Sequence, residues 1–411
     1  MTGAETLVES RYAWARLAAA LALMTIGGSG MYAITVVLPR VQADFGVDRA
    51  DASLPYTFTM IGFGLGGILM GRLADRYGVM VPVIIGAFGL SAGFIAAGNA
   101  GSLWQFNLAQ GLLIGFAGTS ATFAPLVADI SLWFTRRRGI AVAICISGNY
   151  LAGSVWPPLM QHYIDSAGWR QTYIGMGSFC LAAMLPLALI LRPRPPLPAQ
   201  FASGPAAARA TAVAGSAGTL GLSPGILQTL LCVAGVACCV AMSMPQVHIV
   251  AYCGDLGYGP ARGAQMLSVM LGFGIVSRLA FGWISDHIGG LRTLLLGSSL
   301  QAVALLLFLP FKGLVSLYLV SALFGLFQGG IVPAYALIVR EHFTPREAGA
   351  RVGTVLMATL FGMALGGWMS GAIFDLTGSY RAAFVNGIAW NLVNIAIVAA
   401  LLYRARAAFA G

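Results

Sequence analysis

Twelve apolar runs of membrane-spanning length constrain this chain more than any other feature. Each run is close to the roughly 20 residues that an α-helix needs to cross about 30 Å of hydrocarbon. Only 9% of the 411 residues are charged, whereas soluble domains average about 25%. We therefore predict an all-α membrane protein with twelve transmembrane helices. The predicted spans are 13–38, 53–74, 81–99, 104–131, 138–163, 170–192, 223–250, 262–286, 291–310, 313–341, 347–374 and 380–404.

A polar interval rich in Pro, Ala, Gly and Ser separates the first six spans from the last six. This composition is typical of a flexible tether. The sequence therefore predicts a six-helix bundle at 1–192, a cytoplasmic linker at 193–222 and a second six-helix bundle at 223–411.

The cationic residues indicate membrane topology, because they form short clusters between apolar runs rather than a nucleic-acid-binding patch. Sixteen lie in one set of alternate loops: Arg11, Arg16, Arg72, Arg76, Arg136, Arg137, Arg138, Arg192, Arg194, Arg209, Arg292, Arg340, Arg346, Arg351, Arg404 and Arg406. Six lie on the other side: Arg40, Arg49, Arg170, Arg262, Lys312 and Arg381. The positive-inside rule places the larger set, both termini and the linker in the cytoplasm.

The two halves repeat. GRLADRYG at 71–78 returns as GWISDHIG at 282–289, and FTRRRG starting at Phe134 returns in looser form as FTPREAG starting at Phe343. Parallel repeats of six helices are typical of transporters, which bind their substrate near the midplane where the repeats meet.

The GRLADRYG loop resembles the cytoplasmic loop motif of the major facilitator superfamily, and it occurs in the equivalent loop of each half. The resemblance covers nearly the whole chain and implies two pseudo-symmetric bundles with a cytoplasmic gate. A carboxylate in this loop can cap a neighbouring helix and pair with its Arg. We expect gate pairs of Asp75 with Arg351 and Asp286 with Arg138, with Arg76 as a further gate residue. The alternative is an ordinary solvated loop.

A narrower resemblance rests on spans four to six and span eight. WFTRRRGIAVAICISGNYLAG, from Trp133 to Gly153, and GWRQTYI, from Gly168 to Ile174, are similar to the monocarboxylate transporter family and its relative, the oxalate:formate antiporter. Small residues alone would indicate only close helix packing. The resemblance implies transport of a small organic anion.

Arg278 lies inside span eight, about two turns before Asp286. An Arg at the middle of a membrane costs roughly 2.5–3.5 kcal/mol on insertion scales, so it should face a cavity and bind an anion. Because its planar guanidinium matches a carboxylate in a bidentate geometry, we predict a small carboxylate as the substrate. The related families also bind the substrate carboxylate with an Arg on span eight. The alternatives are a structural ion pair or a side chain that reaches the interface.

The chain departs from these families at two places. Many animal monocarboxylate transporters carry an Asp one turn before the Arg of span eight, where this chain has Gly274. The oxalate:formate antiporter has a Lys on span eleven, whereas Thr354 to Phe374 contain none. A single fixed cation favours a monoanion.

His248 in span seven is the predicted proton-coupling site, because imidazole titrates near neutral pH. A structural, hydrogen-bonded histidine is the alternative. Neutral hydrogen bonds to the substrate are predicted from Tyr335, Tyr32, Asn149 and Tyr150; helix-to-helix hydrogen bonding or aromatic packing is the alternative for each.

We therefore predict proton-coupled symport of a lactate- or pyruvate-like monocarboxylate, through rocking of 13–192 against 223–404. An organic anion antiporter or a metabolite or drug exporter is the alternative. The longest polar interval is too short for a catalytic domain, so an enzyme is not expected. No cofactor, metal or nucleic acid is predicted as a partner, and the six cysteines are interpreted as packing residues. The expected setting is a bacterial inner membrane, with the carrier as a monomer.

Overall fold

The computed structural model describes residues 9–194 and 220–410, so most of the predicted linker lies outside the described residues. Within these ranges the chain is helical and contains no strand. In the part of the chain that the structure describes, twelve helices are long and apolar enough to cross a membrane, which confirms the predicted number. Numbered α1 to α12 in chain order, they are Arg11–Phe45, Arg49–Tyr77, Met80–Gly98, Leu103–Trp133, Arg138–Ala167, Trp169–Ile190, Pro224–Asp255, Pro260–Ile288, Gly290–Leu307, Leu314–His342, Glu347–Thr377 and Tyr380–Ala405.

The end of α1 shows the largest difference from the predicted spans. The helix continues past Pro39 to Phe45 and stops only at Gly46, whose φ of 61° ends it in the left-handed region. The predicted span stops at 38 because polar residues mark the edge of the hydrocarbon. Backbone hydrogen bonding does not stop at that edge, so the helix extends into the interfacial region.

Three of the helices are irregular. Gly28 interrupts α1 between Arg11–Gly27 and Ser29–Phe45. In α4 a π-helical stretch over Ala109–Gly118 is followed by one 3₁₀ turn. In α10 the helix is interrupted at Gly329 and Gly330. Irregular stretches of this kind are frequent at functional sites.

The chain folds into two compact units. Within the described residues, the first unit contains 9–194 and 246–272, and the second contains 220–245 and 273–410. The end of α7 and the start of α8 therefore group with the first six helices. The bundle boundaries at 192 and 223 stay a prediction.

Glycines bring α2 and α4 into direct contact within the first unit. A Cβ atom at Gly66 would overlap the backbone carbonyl of Phe116 and lie 2.6 Å from Ser120 Oγ. A Cβ atom at Gly62 would overlap the carbonyl of Gly111. Small residues allow this close approach, which dispersion forces then stabilise.

Arg16 requires a correction to the topology argument, because it does not lie in a loop. It is 0% exposed inside α1, and its Nε and Nη2 donate to the carboxylate of Asp129 at 2.7 and 2.8 Å. Tyr12 Oη accepts from Arg16 Nη1 at 3.0 Å, and the guanidinium lies 4.6 Å from the centre of the Trp133 ring. A paired and hydrogen-bonded Arg is tolerated in a low-dielectric interior. Without it the larger set of cations still outnumbers the smaller, fifteen to six.

Glu9, two residues before the start of α1, joins this cluster through its backbone N–H, which donates to the carbonyl of Trp133 at 3.1 Å. Glu9 Oε1 accepts from the backbone N–H groups of Thr135, Arg136 and Arg137 at 3.2, 2.7 and 2.9 Å. These donors, that of Arg137 first, lower the pKa of Glu9 below its ordinary value because they stabilise the ionised carboxylate. Glu9 thus binds three consecutive backbone N–H groups of the loop between α4 and α5.

Candidate functional site

The interruption of α1 lies against α5. A Cβ atom at Gly28 would lie 2.6 Å from Ala152 Cβ and 3.3 Å from Asn149 Oδ1. One turn earlier in α1, the carbonyl of Thr25 accepts from the indole N–H of Trp156 at 2.6 Å. The predicted ligand Asn149 therefore lies at the α1–α5 contact, beside irregular backbone. Sequence reasoning missed Trp156, although an aromatic N–H donor in an otherwise apolar span is a recognisable signal.

Tyr32 lies at the same contact, one turn further along α1. It is nearly buried, and a Cβ atom at Gly153 of α5 would lie 2.8 Å from Tyr32 Cζ. Tyr150 is also nearly buried in α5. The structure thus brings Tyr32 and Asn149 to one interface of the first unit, with Tyr150 on the same helix as Asn149.

His248 belongs to the first unit by its packing. It is completely buried in α7, three residues after Pro245. A buried imidazole is costly to charge unless an anion or an acceptor compensates it. The role of His248 in proton coupling stays a prediction.

Arg278 belongs to the second unit and is half-buried in α8. The preceding residue, Ser277, packs on the interruption of α10, since a Cβ atom at Gly329 would lie 2.8 Å from Ser277 Cβ. The next turn of α8 continues the contact, because Phe281 occupies the space that a Cβ atom at Gly330 would need. This glycine contact fixes the part of α8 that carries Arg278.

Tyr335 is completely buried in the second unit. Its hydroxyl donates to Asn394 Oδ1 at 2.9 Å, and Asn394 Nδ2 donates to Ser298 Oγ at 2.7 Å. This network joins α9, α10 and α12. A substrate that bound the Tyr335 hydroxyl would have to replace Asn394, so this role stays a prediction.

The predicted gate residues lie at helix ends. Asp75, Arg76 and Asp286 are exposed. Arg138 Nε donates to the carbonyl of Phe134 at 3.2 Å, and Arg351 pairs with Glu347 of its own helix at 2.9 Å. The pairs of Asp75 with Arg351 and of Asp286 with Arg138 stay predictions.

Comparison with known proteins decides the family. The model of the Major Facilitator Superfamily matches residues 18–320 and 292–409. The chain belongs to the major facilitator superfamily. Its members are transporters, so the prediction that the chain is not an enzyme is confirmed.

Among curated relatives, this transporter is 30% identical to "Monocarboxylate transporter 13" of Rattus norvegicus, over 85% of this chain and 78% of the relative. It is 25% identical to "Monocarboxylate transporter 11" of Homo sapiens, over 91% of this chain and 79% of the relative. The predicted resemblance to the superfamily and to monocarboxylate transporters is thereby confirmed.

Solved structures support the fold of this transporter. A mutant form of the peptide transporter POT aligns with a TM-score of 0.72 at 15% identity, covering 94% of each chain. A bacterial homologue of the lysosomal transporter Spinster, in an inward-facing and unoccupied conformation, aligns with a TM-score of 0.66 at 16% identity, covering 97% of this chain and 96% of the other. At this identity the likeness concerns the fold alone.

Among the residues that the structure describes, no group of three or more His, Cys, Asp or Glu is arranged to hold a metal ion. Arg278 supplies a cation, and His248 supplies an imidazole ring. The α1–α5 contact supplies neutral hydrogen-bond donors and acceptors.

Proposed function

We propose that this superfamily member is a secondary active transporter of small organic anions, and specifically a proton-coupled symporter of lactate- or pyruvate-like monocarboxylates. The observation that carries the proposal is Arg278, a half-buried cation inside a membrane-spanning helix. A guanidinium at this depth is expensive unless an anion compensates it. A carboxylate is the best geometric match. The curated relatives named as monocarboxylate transporters support the same substrate class.

Coupling follows from which charge states the membrane tolerates. The carrier with an anion on Arg278 and a proton on His248 is compensated, and the empty carrier with a neutral His248 exposes Arg278 to water. A carrier with only one of the two ligands would have to bury uncompensated charge, so its reorientation is slow. Tyr32, Asn149 and Tyr150 would contribute hydrogen bonds to the carboxylate or to a hydroxyl of the substrate.

The cellular setting belongs to the same proposal. We place the carrier as a monomer in a bacterial inner membrane. Both termini are cytoplasmic in this proposal, because fifteen of the cations near span ends lie on one side and six on the other. Asp75, Arg76 and Asp286, with Arg138 and Arg351, would then act at the cytoplasmic gate.

An organic anion antiporter is the second candidate, and the complete burial of His248 favours it. If that histidine stays neutral throughout the cycle, Arg278 is the charge that governs reorientation. Exchange of one anion for another then keeps Arg278 compensated by an anion in every state that reorients, and no proton is needed.

Uptake of labelled lactate or pyruvate into proteoliposomes tests the proposal, with and without an inward proton gradient. We expect gradient-stimulated uptake by the wild type and none by Arg278→Gln. Arg262→Gln is the matched control, since Arg262 is an exposed residue at the start of the same helix. His248→Gln should retain anion exchange but lose stimulation by the gradient.

Two outcomes would contradict the proposal. Uptake that ignores the gradient but requires unlabelled anion inside the vesicles would assign the antiporter. Uptake by Arg278→Gln at the wild-type rate would show that Arg278 does not bind the substrate. The argument for a carboxylate substrate would then fail.

A further inference from the structure

The two units differ in how they fill one pair of buried positions. Among the residues that the structure describes, Asp129 in α4 is the one buried carboxylate, and its partner Arg16 in α1 is buried with it. Taking two charges out of water is costly, and replacing a buried pair by apolar residues of similar volume is often neutral or stabilising. Stability alone therefore does not explain why the chain keeps this pair.

The sequence repeat gives Arg16 an equivalent in α7. The left-handed glycine that follows α1, Gly46, corresponds to Gly257 after α7, and their φ angles are 61° and 81°. The same spacing along the chain relates Arg16 to Leu227. Leu227 is completely buried. The second unit therefore fills this buried position with an apolar side chain.

The equivalent of Asp129 lies in α10. The residues that follow α4 and α10 begin with the same Phe-Thr pair, at Phe134 and at Phe343. The spacing between these two phenylalanines relates Asp129 to Ile338, which is also completely buried. The fold of one repeat thus keeps both positions apolar and requires a charge at neither. Because an ionisable residue inside a membrane span indicates a functional site, we interpret the ion pair of the first unit as functional.

Arg16 is the group that balances the charge of Asp129. Its Nε and Nη2 donate to the two carboxylate oxygens at 2.7 and 2.8 Å. From α5 the nearby titratable group is the buried thiol of Cys145. Tyr12 of α1 bonds Arg16. The other charged residues at this end of the unit either bind backbone groups of the loop before α5, as Glu9 and Arg138 do, or are exposed, as are Arg11, Arg72, Asp75, Arg76, Arg136, Arg137, Arg192 and Arg194.

The interruption of α1 allows the segment that carries Arg16 to move. Gly28 lies about three turns after Arg16 and separates Arg11–Gly27 from Ser29–Phe45, so the angle between these two segments can change. If the first segment moves away from α4, Arg16 keeps its charge, because a guanidinium is not deprotonated in proteins. Asp129 can instead take up a proton, and a carboxylate left alone in an apolar environment favours the neutral acid.

We propose that Asp129 is a proton-binding residue of the carrier and that Arg16 is the counter-charge that expels the proton. With Arg16 at hydrogen-bonding distance, as in this structure, the carboxylate is ionised. Asp129 binds a proton when Arg16 separates from it and releases the proton to the cytoplasm when Arg16 returns. The role in transport rests on the proposed function and makes Asp129 a second proton site besides His248. The exchange of proton and counter-charge does not depend on which substrate is carried.

Infrared spectroscopy of the reconstituted protein tests proton binding without any substrate. Arg16→Leu copies the second unit at one position and should show the absorption band of a protonated carboxylic acid at neutral pH, whereas the wild type should not. The band should be absent from the double variant Arg16→Leu, Asp129→Ile. Arg40→Leu is the matched control and should show no band, because the side chain of its partner Asp165 is 46% exposed and water stabilises that carboxylate. Absence of the band in Arg16→Leu would overturn the proposal.

Transport by the double variant Arg16→Leu, Asp129→Ile separates a functional pair from a structural one. The variant should fold, because the second unit folds with the same two side chains, and it should still exchange anions. It should lose the stimulation of lactate or pyruvate uptake by a proton gradient, which the control Asp165→Asn should keep. Stimulation equal to that of the wild type would overturn the proposal. A wild type that takes up neither substrate, together with the acid band in Arg16→Leu, would leave the proton site standing and reject the substrate class instead.

Discussion

Removal of the Asp129 carboxylate should destabilise the first unit more than removal of any exposed carboxylate. The perturbation is Asp129→Asn, which keeps the size of the side chain but removes its charge. Arg16 is 0% exposed and its two bonds to Asp129 measure 2.7 and 2.8 Å, so bulk water does not reach it to replace the carboxylate. The variant therefore leaves a buried guanidinium without its counter-charge.

The magnitude follows from burial. Breaking a buried ion pair by removing one partner costs about 3–5 kcal/mol. We expect the lower end, about 3 kcal/mol, because Tyr12 and the Trp133 ring still contact the guanidinium. The pair of Arg40 with Asp165 is the matched control, since its side chains are 53% and 46% exposed. Asp165→Asn should cost less than about 1 kcal/mol.

Thermal unfolding in detergent measures the difference, followed by a dye that reacts with newly exposed thiols such as the buried Cys145 and Cys180. The double variant Arg16→Met, Asp129→Leu should regain most of the lost stability, because an apolar pair needs no counter-charge. The reasoning is refuted if Asp129→Asn costs no more than Asp165→Asn, or if the double variant is no more stable than Asp129→Asn.

Two further predictions concern packing and pH. Gly66→Ala should lower the free energy of unfolding by about 1–3 kcal/mol, because the new Cβ atom would overlap the α4 backbone. Gly67→Ala is the matched control and should leave stability unchanged, because no atom lies within 4 Å of a Cβ atom at that position. Glu9→Gln should unfold at a lower temperature than the wild type at neutral pH. The folded-state pKa of Glu9 is lowered, so its stabilisation is present above the ordinary glutamate pKa and lost as pH falls through the lowered value. The difference in unfolding temperature between the wild type and Glu9→Gln should disappear below about pH 4. A difference that persists below that pH would show that the ionised carboxylate of Glu9 is not the source of the stabilisation.

The number of spans could be predicted from the sequence because hydrocarbon imposes a minimum length on every helix. The same rule says little about where a helix ends in the interface, so it does not predict the extension of α1 to Phe45. Nor does it predict the interruption at Gly28. At Gly28 the helix packs against Asn149 and Ala152, which are distant in sequence and close only in the folded unit.

The sequence also could not distinguish Arg16 from Arg278, although both lie inside membrane-spanning helices. Arg278 is predicted to face a cavity because its span is apolar on both sides, whereas the position of Arg16 near the first charged residues favours a loop. The structure pairs Arg16 with Asp129, a partner 113 positions away. A single sequence records the cost of a buried charge but not the identity of the group that compensates it.

Tyr335 presents the same ambiguity, and Tyr335→Phe resolves it. If the hydroxyl serves the bond to Asn394, its loss should cost about 1 kcal/mol of stability and leave the KM for uptake within about twofold. We expect this result, because Tyr335 is completely buried and Asn394 is itself held by Ser298 at 2.7 Å. Ser298→Ala is the matched control, since it weakens the same network from α9 and should lower stability without changing KM. A KM raised about tenfold by Tyr335→Phe alone, at unchanged stability, would instead show that substrate replaces Asn394 during the cycle.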